Sequence, residues 1–271
     1  MFDIIFALIA AVMAIWRTVT YFTCYDPATG LFTRSFAHFT LPNAITVVVS
    51  VAAIVAVWRT SSRPTHGWTP KENPAGFLLF LSSLMLLLSG LGQVMLIANH
   101  KLELSIGNLL ICAVLAAMVG VGMQAVAYVN GHTNASGAGT MSLGAVIAVV
   151  LCLLTSFISS TEMAVVEQYM YHLLVLCAAA LYFLAITRSL FVQAHMGVAL
   201  WYGRLMLYFA LMEYVPRGIY WTTHGDVFAG IVDVLIAVGM ALLVLGISRS
   251  TSIVYLTDEE LESDAQEEEE A

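Results

Sequence analysis

The sequence predicts an all-α fold, a polytopic bundle of helices crossing a lipid bilayer. Three observations predict it. Of the 271 residues, 60% are hydrophobic and only 10% are charged, whereas a water-soluble domain typically carries about 25% charged residues. The apolar residues fall in long runs, and eight runs approach or exceed the roughly 20 residues needed to cross ~30 Å of hydrocarbon at 1.5 Å per residue. The connections between the runs are short, so no soluble domain is appended. The same composition excludes a soluble globular fold, a disordered chain and a nucleic-acid binder.

The runs cover residues 3–23, 42–58, 76–98, 106–129, 142–159, 166–190, 198–216 and 227–247. The second and fifth are short, which leaves the count at eight spans or seven. The first run carries Asp3 where a signal peptide has a positive region, and no small-residue cleavage pattern follows, so a retained span is expected. In the connection 25–43, Asp26, Pro27 and Gly30 are turn residues. Phe32, Phe36 and Phe39 then recur at i, i+4 and i+7, the pattern of a short helix in the membrane interface; a loop dipping its aromatics into lipid fits equally well. On the fourth run Cys112, Ala116, Gly120 and Gln124 form a small, weakly polar stripe, the expected packing face, with Gln124 bonded to Gln93 of the third. Residues 130–140 read as a flexible loop. Ser159 and Glu162 have the spacing of a capping box that would open the sixth helix. Trp16, Trp58, Trp68, Trp201 and Trp221 all fall near run ends, where amphipathic rings favour the headgroup layer.

The net charge is −8, but nine acids lie between Asp258 and Glu270, and without them it is −8 + 9 = +1. The chain therefore divides into a helical bundle, 1–250, and an acidic, mobile tail, 251–271. Arg59, Arg63, Lys71, Arg188 and Arg249 fall on one side of the bundle, against Arg34, Lys101 and Arg217 on the other. By the positive-inside rule the first set faces the cytoplasm, with both termini, in a plasma membrane. The four cysteines show no C-x-x-C spacing, and those within apolar runs read as small hydrophobes rather than as a disulfide framework.

Ionisable residues within spans cost about 2.5–3.5 kcal/mol each near mid-membrane on insertion scales, which makes them the candidates for function. In the seventh run Arg204 lies about two turns in, and Glu213 and Arg217 sit at i, i+4 around Pro216. In the eighth, Asp226, Gly230 and Asp233 share a face at i, i+4 and i+7. The short connection between these runs makes them an antiparallel pair, which brings Glu213, Arg217, Asp226 and Asp233 to similar depth. Asp233 is the strongest candidate, with Arg217 as its counter-charge, since a side chain that short does not snorkel to water. The plainer account of the same residues is an ion pair that locks the hairpin. His172 on the sixth run, beside Glu167, Gln168 and Tyr171, is expected near the interface.

No H-E-x-x-H, G-x-S-x-G or Walker motif is present. A retinal Schiff base would need a lysine in a late span, and the only lysines, Lys71 and Lys101, lie in connections. No catalytic residue, cofactor or metal is therefore expected. The leading expectation is a carrier or channel for a small solute or ion, with the bilayer as its surroundings. The alternatives are a non-catalytic sensor, immunity or assembly subunit whose acidic tail recruits a soluble protein, and an intramembrane enzyme of unfamiliar type.

Overall fold

The computed structural model describes residues 2–26, 31–32, 40–61, 68–70, 75–99, 101–162, 166–192 and 195–252. Within them lie eight helices: α1 (Phe2–Cys24), α2 (Leu41–Ser61), α3 (Ala75–Ala98), α4 (Ile106–Val129), α5 (Ala135–Glu162), α6 (Val166–Phe191), α7 (Met196–Thr223) and α8 (Val227–Ser250). Among the described residues, extended structure is confined to two pairings of two residues each. Tyr25–Asp26 pairs antiparallel with Leu31–Phe32. Thr69–Pro70 pairs with Thr251–Ser252, which ties the α2–α3 connection to the end of α8.

Short connections make the helices run alternately up and down. One face of the bundle carries the end of α8 and the α2–α3 connection; the other carries the α3–α4 and α7–α8 turns and is called the mouth face below. Helices α3 to α8 form a closed ring, each packed on its neighbour in sequence, with α8 closing onto α3. Helices α1 and α2 pack on α7 from outside the ring.

Seven helices are long and apolar enough to cross a membrane. The one that is not is α7, which is long enough but carries Arg204, Glu213 and Arg217. Its position explains why: α1, α2, α6 and α8 surround it, and most of its residues are buried. Apolarity is demanded of surfaces that meet lipid, and α7 shows lipid little. By contrast α2 exposes Val47, Val48, Val51, Ile54 and Trp58, as a peripheral span in hydrocarbon should.

Several expectations are corrected. Residues 135–140 are not loop but the first turns of α5, capped by Asn134, whose Oδ1 accepts from the Gly137 backbone N–H at 2.9 Å. Ser159 and Glu162 end α5 rather than open α6. Helix α7 does not stop at Pro216 but runs on to Thr223. The expected stripe on α4 is not its packing face: Ala116 is exposed, and the buried positions are Val114, Leu115, Met118, Val121, Gly122 and Ala125. Gln124 does not bond to Gln93, because α3 and α4 are antiparallel, so residues near their two C-terminal ends lie at opposite depths. Gly122 faces Ser83 instead. All four cysteines are free. The interfacial helix expected around Phe36 and Phe39, the side chains of Glu167 and Gln168, and the tail from 253 onward lie outside the described residues.

Candidate functional site

The close approach of α7 and α8 creates the site. Gly218 and Gly230 let the two backbones touch: a Cβ on Gly218 would lie 2.8 Å from the Gly230 carbonyl oxygen, and one on Gly230 would collide with the Gly218 carbonyl oxygen and the Thr222 hydroxyl. This contact sets Arg217 against Asp233. Arg217 Nε donates to Asp233 Oδ2 at 2.7 Å and Nη2 donates to Oδ1 at 2.6 Å, a bidentate fork. Arg217 Nη1 donates to Glu213 Oε1 at 3.2 Å, one turn earlier on its own helix. Asp233 and Glu213 are buried.

The sequence reading missed a second arginine. Arg17, on α1, is buried and stands with Nη2 3.9 Å from Glu213 Oε2, while its guanidinium lies over the Tyr171 ring at 3.8 Å from the centroid. Glu213 is thus held between two guanidiniums. Arg17 Nε and Nη2 and Glu213 Oε2 are buried without a hydrogen-bond partner among the described residues. Arg17 was findable by the criterion that singled out Arg204, since it too is a charged residue within a span. Behind it, a neutral network joins α2, α6 and α7: Tyr171 donates to Asn43 Oδ1 at 2.7 Å, and the Thr46 hydroxyl lies 3.3 Å from the Tyr171 hydroxyl and 3.1 Å from that of Tyr208.

Inside the ring, at the mouth face, is a cavity of about 510 Å³. Arg217, Asp233, His172 and Tyr214 line its inner part, together with Gln93 and Ile236, and Asn108 lines it near the mouth. His172 is buried, its Nδ1 3.4 Å from the Tyr214 hydroxyl. The burial follows from the ring, in which α6 packs between α5 and α7. At the mouth Lys101 Nζ donates to Asp226 Oδ1 at 3.0 Å, linking the α3–α4 turn to the start of α8. Asp226 Oδ1 also accepts from the Ala229 N–H at 3.2 Å, as the N-cap of α8. The Lys101 hydrogen bond, helped by that backbone N–H, holds the Asp226 carboxyl below the usual carboxylate range. One and two turns deeper on the same helix faces, Leu115, Met118, Val175, Ser89, Leu86 and Met240 are all buried, so side chains close the floor.

Of the six candidates, the structure brings Asp233, Arg217, Glu213, Asp226 and His172 together around or behind one cavity. It does not bring Arg204 there: that guanidinium lies 4.3 Å from the centroid of the Trp201 ring, nine residues from Glu213 toward the opposite face. Among the described residues no group of three His, Cys, Asp or Glu is placed to hold a metal.

The fold and site define a multi-pass helical membrane bundle with a cavity at one face that is lined by both polar and apolar side chains. Compared with family models, curated proteins and solved structures, the chain matches none.

Proposed function

We propose that this membrane protein is a carrier or channel for a small solute, with the cavity inside the α3–α8 ring as its binding site. The observation that carries the reading is the Arg217–Asp233 fork on the wall of that cavity. A buried ion pair is a poor way to stabilise a bundle, since apolar residues of similar volume serve as well or better. Intramembrane charge instead marks solute and ion pathways by default. The volume falls within the ~300–1,000 Å³ typical of small-molecule sites. In this reading the closed floor belongs to a state open at the mouth face, and the basic residues at the ends of α2, α6 and α8 support an orientation with the opposite face toward the cytoplasm.

Counterflow in proteoliposomes tests it, with a metabolite and ion panel run on wild type and on Ala229→Trp, which fills the mouth. Accumulation of a solute by wild type but not by the variant is the expected result. No accumulation of any solute by folded protein would overturn it. The second reading, a membrane subunit recruiting a soluble partner, is favoured by the nine acids of the tail. Truncation after residue 256 separates the two, since solute movement should survive it and recruitment should not.

A further inference from the structure

The charges that line the cavity have a stoichiometry. Among the described residues there are two cations, Lys101 and Arg217, and two carboxylates, Asp226 and Asp233. Each cation is already bonded to a carboxylate, Lys101 to Asp226 through one hydrogen bond and Arg217 to Asp233 through two. Nη1, the remaining guanidinium nitrogen, is taken by Glu213. Among the described residues a charged solute entering this space would find no unmatched counter-charge, and would either break a pair or bring its own charge into a poorly solvated space uncompensated.

The side chains that remain to bind are neutral. Gln93 makes no hydrogen bond among the described residues, so its amide offers both donors and an acceptor. Asn108 spends Nδ2 on the Glu103 carbonyl at 2.8 Å and keeps Oδ1. His172 has Nδ1 beside Tyr214 and keeps Nε2. Trp221 and Tyr214 add aromatic surface, and Ile111 and Ile236 are apolar. Amides and an imidazole beside aromatic walls suit a flat molecule with a hydrogen-bonding edge and an apolar face.

We infer that the cavity selects an uncharged, planar, hydrogen-bonding solute of the nucleobase class. This rests on the cavity being a solute site, as proposed above, and narrows what that site accepts. The test is binding in nanodiscs, read as a thermal shift and by calorimetry at neutral pH. The probes are uracil and hypoxanthine as uncharged ring solutes, choline and putrescine as cations, acetate and succinate as anions, and glycine betaine as a zwitterion. The expected result is a stabilising shift from a nucleobase alone, with affinity lowered about tenfold or more in Gln93→Leu, the loss of one or two hydrogen bonds. Asn108→Ala, altered near the mouth rather than within the ring, serves as the second variant should Gln93→Leu fail to fold, and should weaken the same probe. A shift from a charged or zwitterionic probe without one from the nucleobases overturns the inference and leaves the solute site standing. No shift from any class, with counterflow also silent, retires both.

Discussion

Asp233→Asn tests the centre of the site. The substitution keeps size and shape but removes the charge that faces Arg217, and with it at least one of two bonds of 2.6 and 2.7 Å. Hydrogen bonds to charged groups are worth about 1.5–3 kcal/mol each, and breaking one side of a buried pair costs roughly 3–5 kcal/mol. Two features reduce that figure here. The Arg217 side chain is 29% exposed, toward the cavity, so water partly replaces what is lost. Glu213 also remains to balance it. A destabilisation of about 3 kcal/mol follows, which at roughly 2–4 °C per kcal/mol lowers the melting temperature by about 6–12 °C. The double variant Arg217→Met with Asp233→Leu removes both charges and should be less destabilised than Asp233→Asn alone, since no unpaired guanidinium is left. The assay is thermal unfolding in nanodiscs, arranged as a double-mutant cycle. An Asp233→Asn midpoint within 1 °C of wild type, or a double variant as unstable as the sum of its parts, would refute the reasoning.

Other predictions concern the helix contact and the mouth. Gly230→Ala should destabilise by about 1–3 kcal/mol, the usual cost of overpacking, because its Cβ meets backbone on α7. Gly144→Ala on α5, with nothing within 4 Å of its Cβ, should be neutral or stabilising by up to about 1 kcal/mol through helix propensity; melting temperatures measured side by side check both. At the mouth, the Asp226 carboxyl titrates lower folded than unfolded, so its contribution is present above the unfolded value of about 3.9 and is lost as pH falls through the lower folded value. The stability difference between wild type and Asp226→Asn should therefore be flat from pH 7 to about 5 and shrink in more acidic buffer. As an exposed ion pair it should amount to no more than about 1 kcal/mol, and a difference that grows on acidification would reverse the assignment.

How much of this was legible follows from what each feature depends on. Span positions depend on local hydropathy, and each of the eight runs holds a helix. The ends that moved are those where a weak local signal met a stronger structural one. The small polar residues after Asn134 look like loop, yet Asn134 caps them into α5. Pro216 looks like a stop, yet α7 is held by helices on several sides and continues past it. The Glu213–Arg217–Asp233 cluster was legible because it needs only an i, i+4 spacing and one tight turn. Arg17 was legible as a charge within a span, but its meeting with Glu213 was not, since that depends on α1 lying against α7, a contact between helices far apart in sequence. The misplaced Gln93–Gln124 bond shows the opposite failure, a pairing drawn by residue type without checking depth in an antiparallel hairpin. The closure of the ring by α8 on α3 has no local signature at all.

The polarity of α7 bears on how the chain is made. Spans enter a bilayer in order of synthesis, and a segment that carries three ionisable groups partitions poorly into lipid alone. By the time α7 emerges, α1, α2 and α6 have been synthesised, but α8, which brings Asp233 to neutralise Arg217, has not. The last two helices therefore have to enter as one unit, with the charge on α7 kept in water or against earlier helices until its partner follows. The residues that shape the cavity in the finished protein are thus expected also to couple the insertion of α7 to that of α8.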